Sequence, residues 1–584
     1  MASSDRLNPV RDPVHGSVFP DRLESLFIAS PPLQRLKGIR QLALVDMAYP
    51  GATHSRFEHS LGTMHVAGMM ATKLSLSLED VRLVRLAGLL HDIGHSAFSH
   101  AVELLLARNP DFQPIIGRDL ISRHEQFTAH LLASREFPSQ ALEMVEQELG
   151  TSALDSVAAI IDGQSLPLGQ LVSGDIDADR IDFLLRDSHH SGVSLGLVDL
   201  DQIMGALEVR DGRVVLAGDG DFRMDMSLTA AESLLVARAH HYSALIHHPN
   251  VQSARAMLLY CIEDVLKDSD PNDARKAVFQ FFTKFNDGDL IAFLKARVRG
   301  SAARILEKLL LGQPLSLAAR FGPRQISPKT RMALSTIARN GRMRQIFESG
   351  LQKRFGALVD LSTGSGVPRS LRTSDAFLYD ESALAAGLTK HLTGQIAISF
   401  FSCQESASQI PLTEVDQLAG RLMDFMRDES YLSIDGLLLL FSSLHTMLCQ
   451  DFGQRILVPR IRNITWIYRT VEELRTEFAE DLAGLFDYTF SNVFGFPYSE
   501  RLFEDLQILV AVGMVYQDVR QYQVSGRWRQ RYEYMLTSEG LAYSSRIVKR
   551  YSPEAGALDR WLSHRRHNIP YDLVSLDRRR YLEG

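Results

Sequence analysis

Cysteine is scarce. Only Cys261, Cys403 and Cys449 occur in 584 residues. They lie far apart and form no CxxC pair, so neither a thiolate zinc site nor a disulfide scaffold is indicated, and a reducing, cytoplasmic setting is expected. Long apolar runs are missing: no stretch of about 18 apolar residues is available to span a membrane. The opening "MASSDRLNPVRDPVHG" has no apolar signal core. Charge of one sign is not in excess either. With 63 basic and 70 acidic residues the net charge is −7, which excludes a global pull toward nucleic acid or anionic lipid but not a local basic patch. Internal repeats and low-complexity tracts are absent. The 45% hydrophobic and 23% charged content is that of a globular protein, and the length exceeds what one core supports, so several domains are expected.

What is present is mostly helix. "ALEMVEQEL", "VRLVRLAGLL", "ESLLVARAHHYSALIHH", "SARAMLLYCIEDVLK" and "AARILEKLLLG" place apolar residues at three- and four-residue steps. Strand signals are local. "ALEVRDGRVVLAG" alternates around Asp211-Gly212 as a hairpin does, and "GQIAISFFS" (394–402) is a second short strand. "LSTGSGVPRSLRTSD" (361–375) reads as a loop or mobile segment. Beyond a soft boundary near 430, a helix ending at Gly513 leads into a long hairpin turning at Ser525-Gly526. A second helix follows, with Thr537 or Ser538 as its cap. Helix, two-stranded wing, helix is the order of a winged-helix module. The expected fold class is therefore mostly α, a helical core with small β hairpins plus a winged-helix-like α+β module.

The chemistry concentrates in "LLHDIGHSAFSH" (89–100), where an apolar helix ends in His91, Asp92, His95 and His100. A single histidine on an apolar helix is usually a hydrogen-bonded core or surface residue, and a His-Asp pair arises by chance in many chains. The company it keeps changes the balance. A divalent cation takes imidazole and carboxylate ligands with positions open for water and substrate. Upstream "HSRFEHSLGTMH" offers His54, His59 and His65; downstream "DIDADRIDFLLRD" offers Asp175, Asp177, Asp179, Asp182 and Asp187. Aspartates this dense beside an apolar helix are costly to bury without a cation or basic partners. Helix capping accounts for one of them.

"RFEHSLG", "LLHDIGHSAFSH", "HEQ" and "DIDADRIDFLLRD", in this order, resemble the HD-domain phosphohydrolases. The nearest branch is the deoxynucleoside triphosphate triphosphohydrolases, which includes the sterile-alpha-motif HD enzyme of animal cells and bacterial dGTP triphosphohydrolases. The resemblance runs from "RDPVHGSVF" to about residue 260 and thins to about 430. It implies an HD core over 1–260, its helical continuation over 261–430 and a regulatory or interaction domain over 431–584. By residue it implies a metal quartet of His59, His91, Asp92 and Asp179 holding Mg, Mn, Fe, Ni or Zn. His95 and His100 become candidates for the general acid, with His124 and Glu125 as a supporting pair. Arg56 and Arg180 fall at phosphate-contacting positions. Gln41 and Asp187 fall near the deoxyribose 3′-hydroxyl. Phe183 stands where the family often has tyrosine, and Tyr242 is the available partner, although the register points nearer to Leu245.

The implied activity is hydrolysis of dNTPs to deoxynucleoside and tripolyphosphate, with depletion of nucleotides in antiviral defence as a role. Expected partners are the dNTP, a nucleotide activator, a second copy of the chain, and a protein or nucleic acid at the C-terminal module; no membrane is expected. Ala29 replaces the aspartate that reads guanine in the animal enzyme, while Gln34 and Lys37 keep polar types, so an activator site would differ. Arg520, Arg527, Arg529 and Arg531, with Tyr522, Trp528 and Tyr532 interleaved, decorate the wing. They suit a phosphate backbone, or equally a solvated hairpin or docking face. The alternatives to a dNTPase are an HD phosphodiesterase or nuclease and, from a different class, a nucleotide-sensing or DNA-binding regulator without turnover.

Overall fold

The computed structural model describes residues 9–195, 198–217, 221–364, 382–402, 410–449, 451–452, 455–477, 482, 484–492, 496–524 and 527–575. Strands β1 (Val10–Asp12) and β2 (Gly16–Val18) form an N-terminal hairpin. Helix α1 (Arg56–Lys73) begins at a capping box: Ser55 accepts the Glu58 N–H while Glu58 accepts the Ser55 N–H. Helix α2 (Leu78–Leu90), capped by Ser77, packs along α1 and ends at His91. Its inward residues Leu83, Leu86, Leu89 and Leu90 join one hydrophobic cluster with Met64, Ala67 and Met70 of α1. The "HDIGHSAFS" segment then turns into α3 (His100–Arg108), followed by α4 (His124–Ser134) and α5 (Ala178–Ser191). The hairpin β3 (Leu207–Arg210) and β4 (Arg213–Leu216) closes on Asp211 and Gly212, both at positive φ, as two central residues of such a turn require.

Helices α6 (Asp221–His241) and α7 (Pro249–Lys267) come next, so the expected boundary at 260 falls within a helix. Strand β5 (Ser316–Phe321), helix α8 (Pro328–Arg339), strand β6 (Leu358–Ser362), helix α9 (Ala383–Thr393) and strand β7 (Ala397–Ser402) build a three-stranded antiparallel sheet in the order β5-β7-β6 with its flanking helices. Leu361 and Ser362, expected to begin a loop, are strand residues; 365–375 lies outside the described residues. The remaining elements are α10 (Leu412–Glu429), α11 (Ser433–Leu448), β8 (Arg455–Arg462), α12 (Glu500–Ala511), β9 (Val515–Val524), β10 (Arg527–Leu536), α13 (Ser538–Arg550) and β11 (Tyr571–Ser575).

The mostly helical class with small antiparallel sheets is as expected. The helix–hairpin–helix order α12-β9-β10-α13 is present, with Thr537 capping α13 and Gly513 at positive φ after α12. The hairpin is part of a wider sheet, however: β10 pairs with β8, and β8 pairs with β11. The boundary expected near 430 lies inside one cluster that runs from Ile326 to Ile569 and includes Met426, Leu432 and Leu437. Among the described residues no single helix is long and apolar enough to cross a membrane; α10 and α11 pass such a test only as a bent pair, and α11 is a core helix buried along nearly its whole length.

Candidate active site

Four segments distant in sequence converge between α1, the α2–α3 turn, α4 and α5. His59, on the buried face of α1, turns Nε2 toward Asp179 Oδ1 at 3.0 Å and Asp92 Oδ2 at 3.8 Å. His91 Nε2 lies 3.2 Å from Asp92 Oδ1 and 3.8 Å from Asp179 Oδ1. His59, His91 and Asp179 can place one ligand atom each within 4.8 Å of one another, and Asp92 adjoins both imidazoles. The second nitrogen of each ring is fixed from behind. His91 Nδ1 donates to the Gly88 carbonyl at 2.8 Å. His59 Nδ1 donates to Asp182 Oδ2 at 2.7 Å. In the neutral rings that these bonds allow, both Nε2 atoms turn a lone pair toward the same space as the carboxylates, and both are buried without a hydrogen-bond donor; with no cation between them, the carboxylates draw protons there instead. This arrangement fits a divalent cation: two imidazole nitrogens, two carboxylates, and a carboxylate behind one of the histidines that holds its tautomer.

The charges say the same. Burial opposes protonation of His59, yet its hydrogen bonds to Asp179 and Asp182 raise its pKa to about 10. For His91, burial is likewise outweighed, chiefly by the Asp92 charge. Asp92, against burial, is held below the usual carboxylate range by the Arg56 guanidinium. A pocket that recruits protons onto two buried imidazoles is one whose negative charge calls for a cation.

Behind this group is a support that reading along the chain missed. Asp182 accepts from His15 Nε2 at 2.6 Å and from Arg186 at 2.8 and 2.9 Å. Arg186 also donates to Asp12 at 2.8 Å and is fully buried. The β1–β2 turn supplies His15 and Asp12. Gly62 on α1 makes room for the pair, since a Cβ there would collide with the Asp182 carboxylate.

A second cluster flanks the first. The rings of His95 and His124 stack with centroids 3.7 Å apart, and His100 approaches His95 edge-on at 4.8 Å. His95 Nε2 lies 3.4 Å from Asp92 Oδ1. Glu103, one turn into α3, binds both outer histidines: Oε2 meets His100 Nδ1 at 2.7 Å and Oε1 meets His124 Nδ1 at 3.0 Å. It also accepts the His124 backbone N–H at 2.9 Å. Burial works against protonating His124, but the Glu103 charge and hydrogen bond raise its pKa to about 9. His95 goes the other way, held well below 6.5 by burial and the Arg56 charge. The His100 side chain is 68% exposed. Phe98 and Ser99 reach α3 through positive φ, a strained turn held by Asp287, which accepts the Phe98 N–H at 2.6 Å.

Residues 56–184 match the HD domain family, and residues 198–313 match the HD associated region. The chain carries an HD domain. It is 36% identical over 251 residues to the uncharacterized protein MJ1154 of Methanocaldococcus jannaschii, covering 43% of this chain and 48% of that one. It is 30% identical over 254 residues to the uncharacterized protein YwfO of Bacillus subtilis, covering 42% and 53%. It is 29% identical over 220 residues to the human deoxynucleoside triphosphate triphosphohydrolase SAMHD1, covering 32% and 34%. The chain thus spans about half or less of the length of these relatives. A crystal structure of a hypothetical protein from Aquifex aeolicus shares the fold, with TM-score 0.52 and 24% identity over 69% of this chain and 100% of that one.

Around the HD site the remaining expected residues fall as follows. Arg56, expected on phosphate, is buried and donates to Asp92 at 2.6 Å and to Ser99 at 2.7 Å. Arg180 pairs with Asp177, whose side chain also caps α5, the capping aspartate expected within the run from Asp175 to Asp187. Glu125, expected as the partner of His124, is at 3.6 Å, farther than Glu103. Asp187 is buried between His54 Nε2 and His241 Nε2, both at 2.7 Å. Phe183 packs on the His241 ring at 5.3 Å, and Tyr242 follows at the start of a widened turn over Tyr242–Ile246. Gln41 donates its backbone N–H to the His54 carbonyl at 3.0 Å, and its Oε1 is buried without a partner. Leu245 is fully buried in a separate small cluster. His65 stands apart, beside His15.

Proposed function

We propose that this HD protein is a metal-dependent phosphohydrolase that cleaves deoxynucleoside triphosphates to deoxynucleoside and tripolyphosphate. The observation that carries the reading is the pair of buried, donor-less Nε2 atoms of His59 and His91 facing Asp92 and Asp179. The similarity to SAMHD1 over 220 residues supports the substrate class. A divalent cation held by these four residues supplies charge neutralisation of the phosphate and a lowered pKa for an attacking water.

The chain's own residues divide the proton work. His95, held neutral, accepts a proton from the water that adds to the α-phosphorus. His124, held protonated by Glu103, supplies the proton that the 5′-oxygen takes as its bond to phosphorus breaks. This moves the acid from His95 and His100, the first expectation, to His124, because opposite pKa displacements at neighbouring histidines are how a base and an acid are kept apart at one pH. Arg56 holds Asp92 charged; Arg180, 24% exposed at its side chain against 3% for Arg56, is the more accessible cation for an incoming triphosphate. Asp187 and Gln41 supply the polar groups expected to meet the sugar.

The test is product analysis with purified protein, Mg, Mn or Co, and the full set of dNTPs, NTPs and single-stranded oligonucleotides. Tripolyphosphate with deoxynucleoside is the expected product. Shortened oligonucleotides would instead identify a nuclease, and no product with retained DNA a regulator. The proposed defence role predicts that overexpression lowers cellular dNTP pools and that Asp92→Ala does not.

A further inference from the structure

Away from the HD site, the loop before α8, the C-terminal half of α9 and the end of α12 enclose a groove of about 760 Å³, within the range of small-ligand sites. Its charged lining is all basic, Arg324, Arg331 and Lys390; His391 lines it too, its Nε2 3.0 Å from the Gln395 amide nitrogen. No carboxylate is among its described lining residues; Glu539 acts on Arg331 from outside the groove. The larger cavity beside α11 and α13, about 1210 Å³, makes the contrast. Three of its four arginines are neutralised in place, Arg339 by Asp505, Arg427 by Asp435 and Arg550 by Asp428, and further carboxylates, Glu429, Asp487 and Glu554, line it beside Arg501. In the smaller groove Arg324 and Lys390 are exposed and make no hydrogen bond or ion pair among the described residues.

Arg331 is the fixed member. Its Nη1 and Nη2 donate to the Ala511 and Val512 carbonyls at 3.2 and 3.1 Å, which closes the end of α12, and its Nε is buried without an acceptor. It sits in the first turn of α8, whose N-terminal dipole adds positive potential. Across the groove, a Cβ at Gly322 or Gly387 would meet nothing within 4 Å, so the space beside the cations is open. Like charges gathered without counter-charge repel one another, and that cost is relieved by a multivalent anion.

We infer that this groove binds a polyphosphate anion, with Arg324, Lys390 and Arg331 as its cationic contacts. The shared ligand chemistry is a chain of phosphates, borne by a nucleoside triphosphate or by free tripolyphosphate. The site is separate from the HD site and does not depend on what that site hydrolyses.

The test is isothermal titration of the full chain with inorganic tripolyphosphate, in parallel with dATP, deoxyadenosine, orthophosphate and a single-stranded oligonucleotide, in EDTA so that no divalent ion bridges ligand to the HD site. The variants are Lys390→Glu and Arg324→Glu, both exposed and outside the HD machinery, with Asp92→Ala as a control for binding at the HD site. The expected result is saturable binding of tripolyphosphate or dATP that survives Asp92→Ala and weakens about tenfold or more in each charge reversal. Tighter binding of dATP than of tripolyphosphate would assign the nucleotide as the source, and the reverse the free polyphosphate. Binding that is indifferent to both reversals, or lost with Asp92→Ala, overturns the inference. So does binding of a single-stranded oligonucleotide without binding of either polyphosphate.

Discussion

Replacing Glu103 by Gln tests the proton arrangement directly. Glutamine keeps an oxygen to accept from His124 Nδ1 and its backbone N–H but removes the charge that holds the imidazolium. In the intact protein His124 has its pKa raised from 6.5 to about 9 by Glu103, against burial. A raised histidine stabilises the fold fully below about 6.5, and that contribution is lost as pH rises through about 9. At about 1.4 kcal/mol per pH unit the interval corresponds to roughly 3 kcal/mol; the His124 side chain is 16% exposed, so solvent screening removes little of it. With Glu103 neutral, burial dominates and the His124 pKa is expected below 7.

Histidine-labelled NMR, with His124→Gln to assign the signal, is the primary assay because it needs no substrate. His124 should titrate near 9 in the native chain and below 7 in the variant. The alkaline limb of the pH–rate profile should move by the same amount. A signal that still titrates near 9 in Glu103→Gln would refute the assignment of Glu103 as the controlling charge; a moved signal with an unmoved alkaline limb would remove His124 from the acid role.

Asp182→Ala should lower affinity for Mn about 10–100-fold by freeing the His59 tautomer, and should destabilise the chain by about 3–5 kcal/mol because Arg186 is left buried and half-paired; calorimetry reads both, and unchanged values would mean the support is incidental. Gly94→Ala should cost about 1–3 kcal/mol and most of the activity, since the added methyl would collide with the Thr128 and His124 backbone where the turn lies on α4; a melting midpoint equal to the native one would contradict that contact. Stripping metal with chelator should lower the melting midpoint, and saturating cation at about 100 times its Kd should restore about 2.7 kcal/mol; no shift in either direction would count against the quartet. Cys261, fully buried and with its thiol pushed up to about 12 chiefly by burial, should resist alkylation until the chain unfolds, and labelling of the native protein would show the core to be open.

Those parts of the site that were readable from the chain were the ones written in consecutive residues. His91, Asp92 and His95 declare themselves because one turn delivers them together. His59 and Asp179 were reached through motif order, since nothing in spacing ties residue 59 to residue 179. Asp182 was visible only as one acid among five: its partners come from residues 12, 15 and 186, and burial of an aspartate is decided by tertiary neighbours. Glu103 had a signal, three residues after His100 on a helix, but the family resemblance points to Glu125 as the partner of His124 instead. The same logic governs the fold. The hairpin at Asp211-Gly212 has a local turn chemistry that identifies it. Strand β6 does not: Asp360 interrupts its apolar run, and the carboxylate is tolerable there because Arg255 Nη2 donates to both its oxygens at 2.8 and 2.9 Å and Ser362 Oγ to one of them at 2.7 Å.

The cluster that surrounds α1 and α2 also contains Ala385 and Leu392, side chains of α9, and Ser382, just before that helix, donates to Glu232 on α6. The HD part of the chain is therefore finished by a segment made some seventy residues after its associated region ends. A ribosome that has released only the first 313 residues holds an unsealed core, so folding of the HD half must wait for later translation, and a shortened gene ending there should yield aggregate rather than a small folded domain.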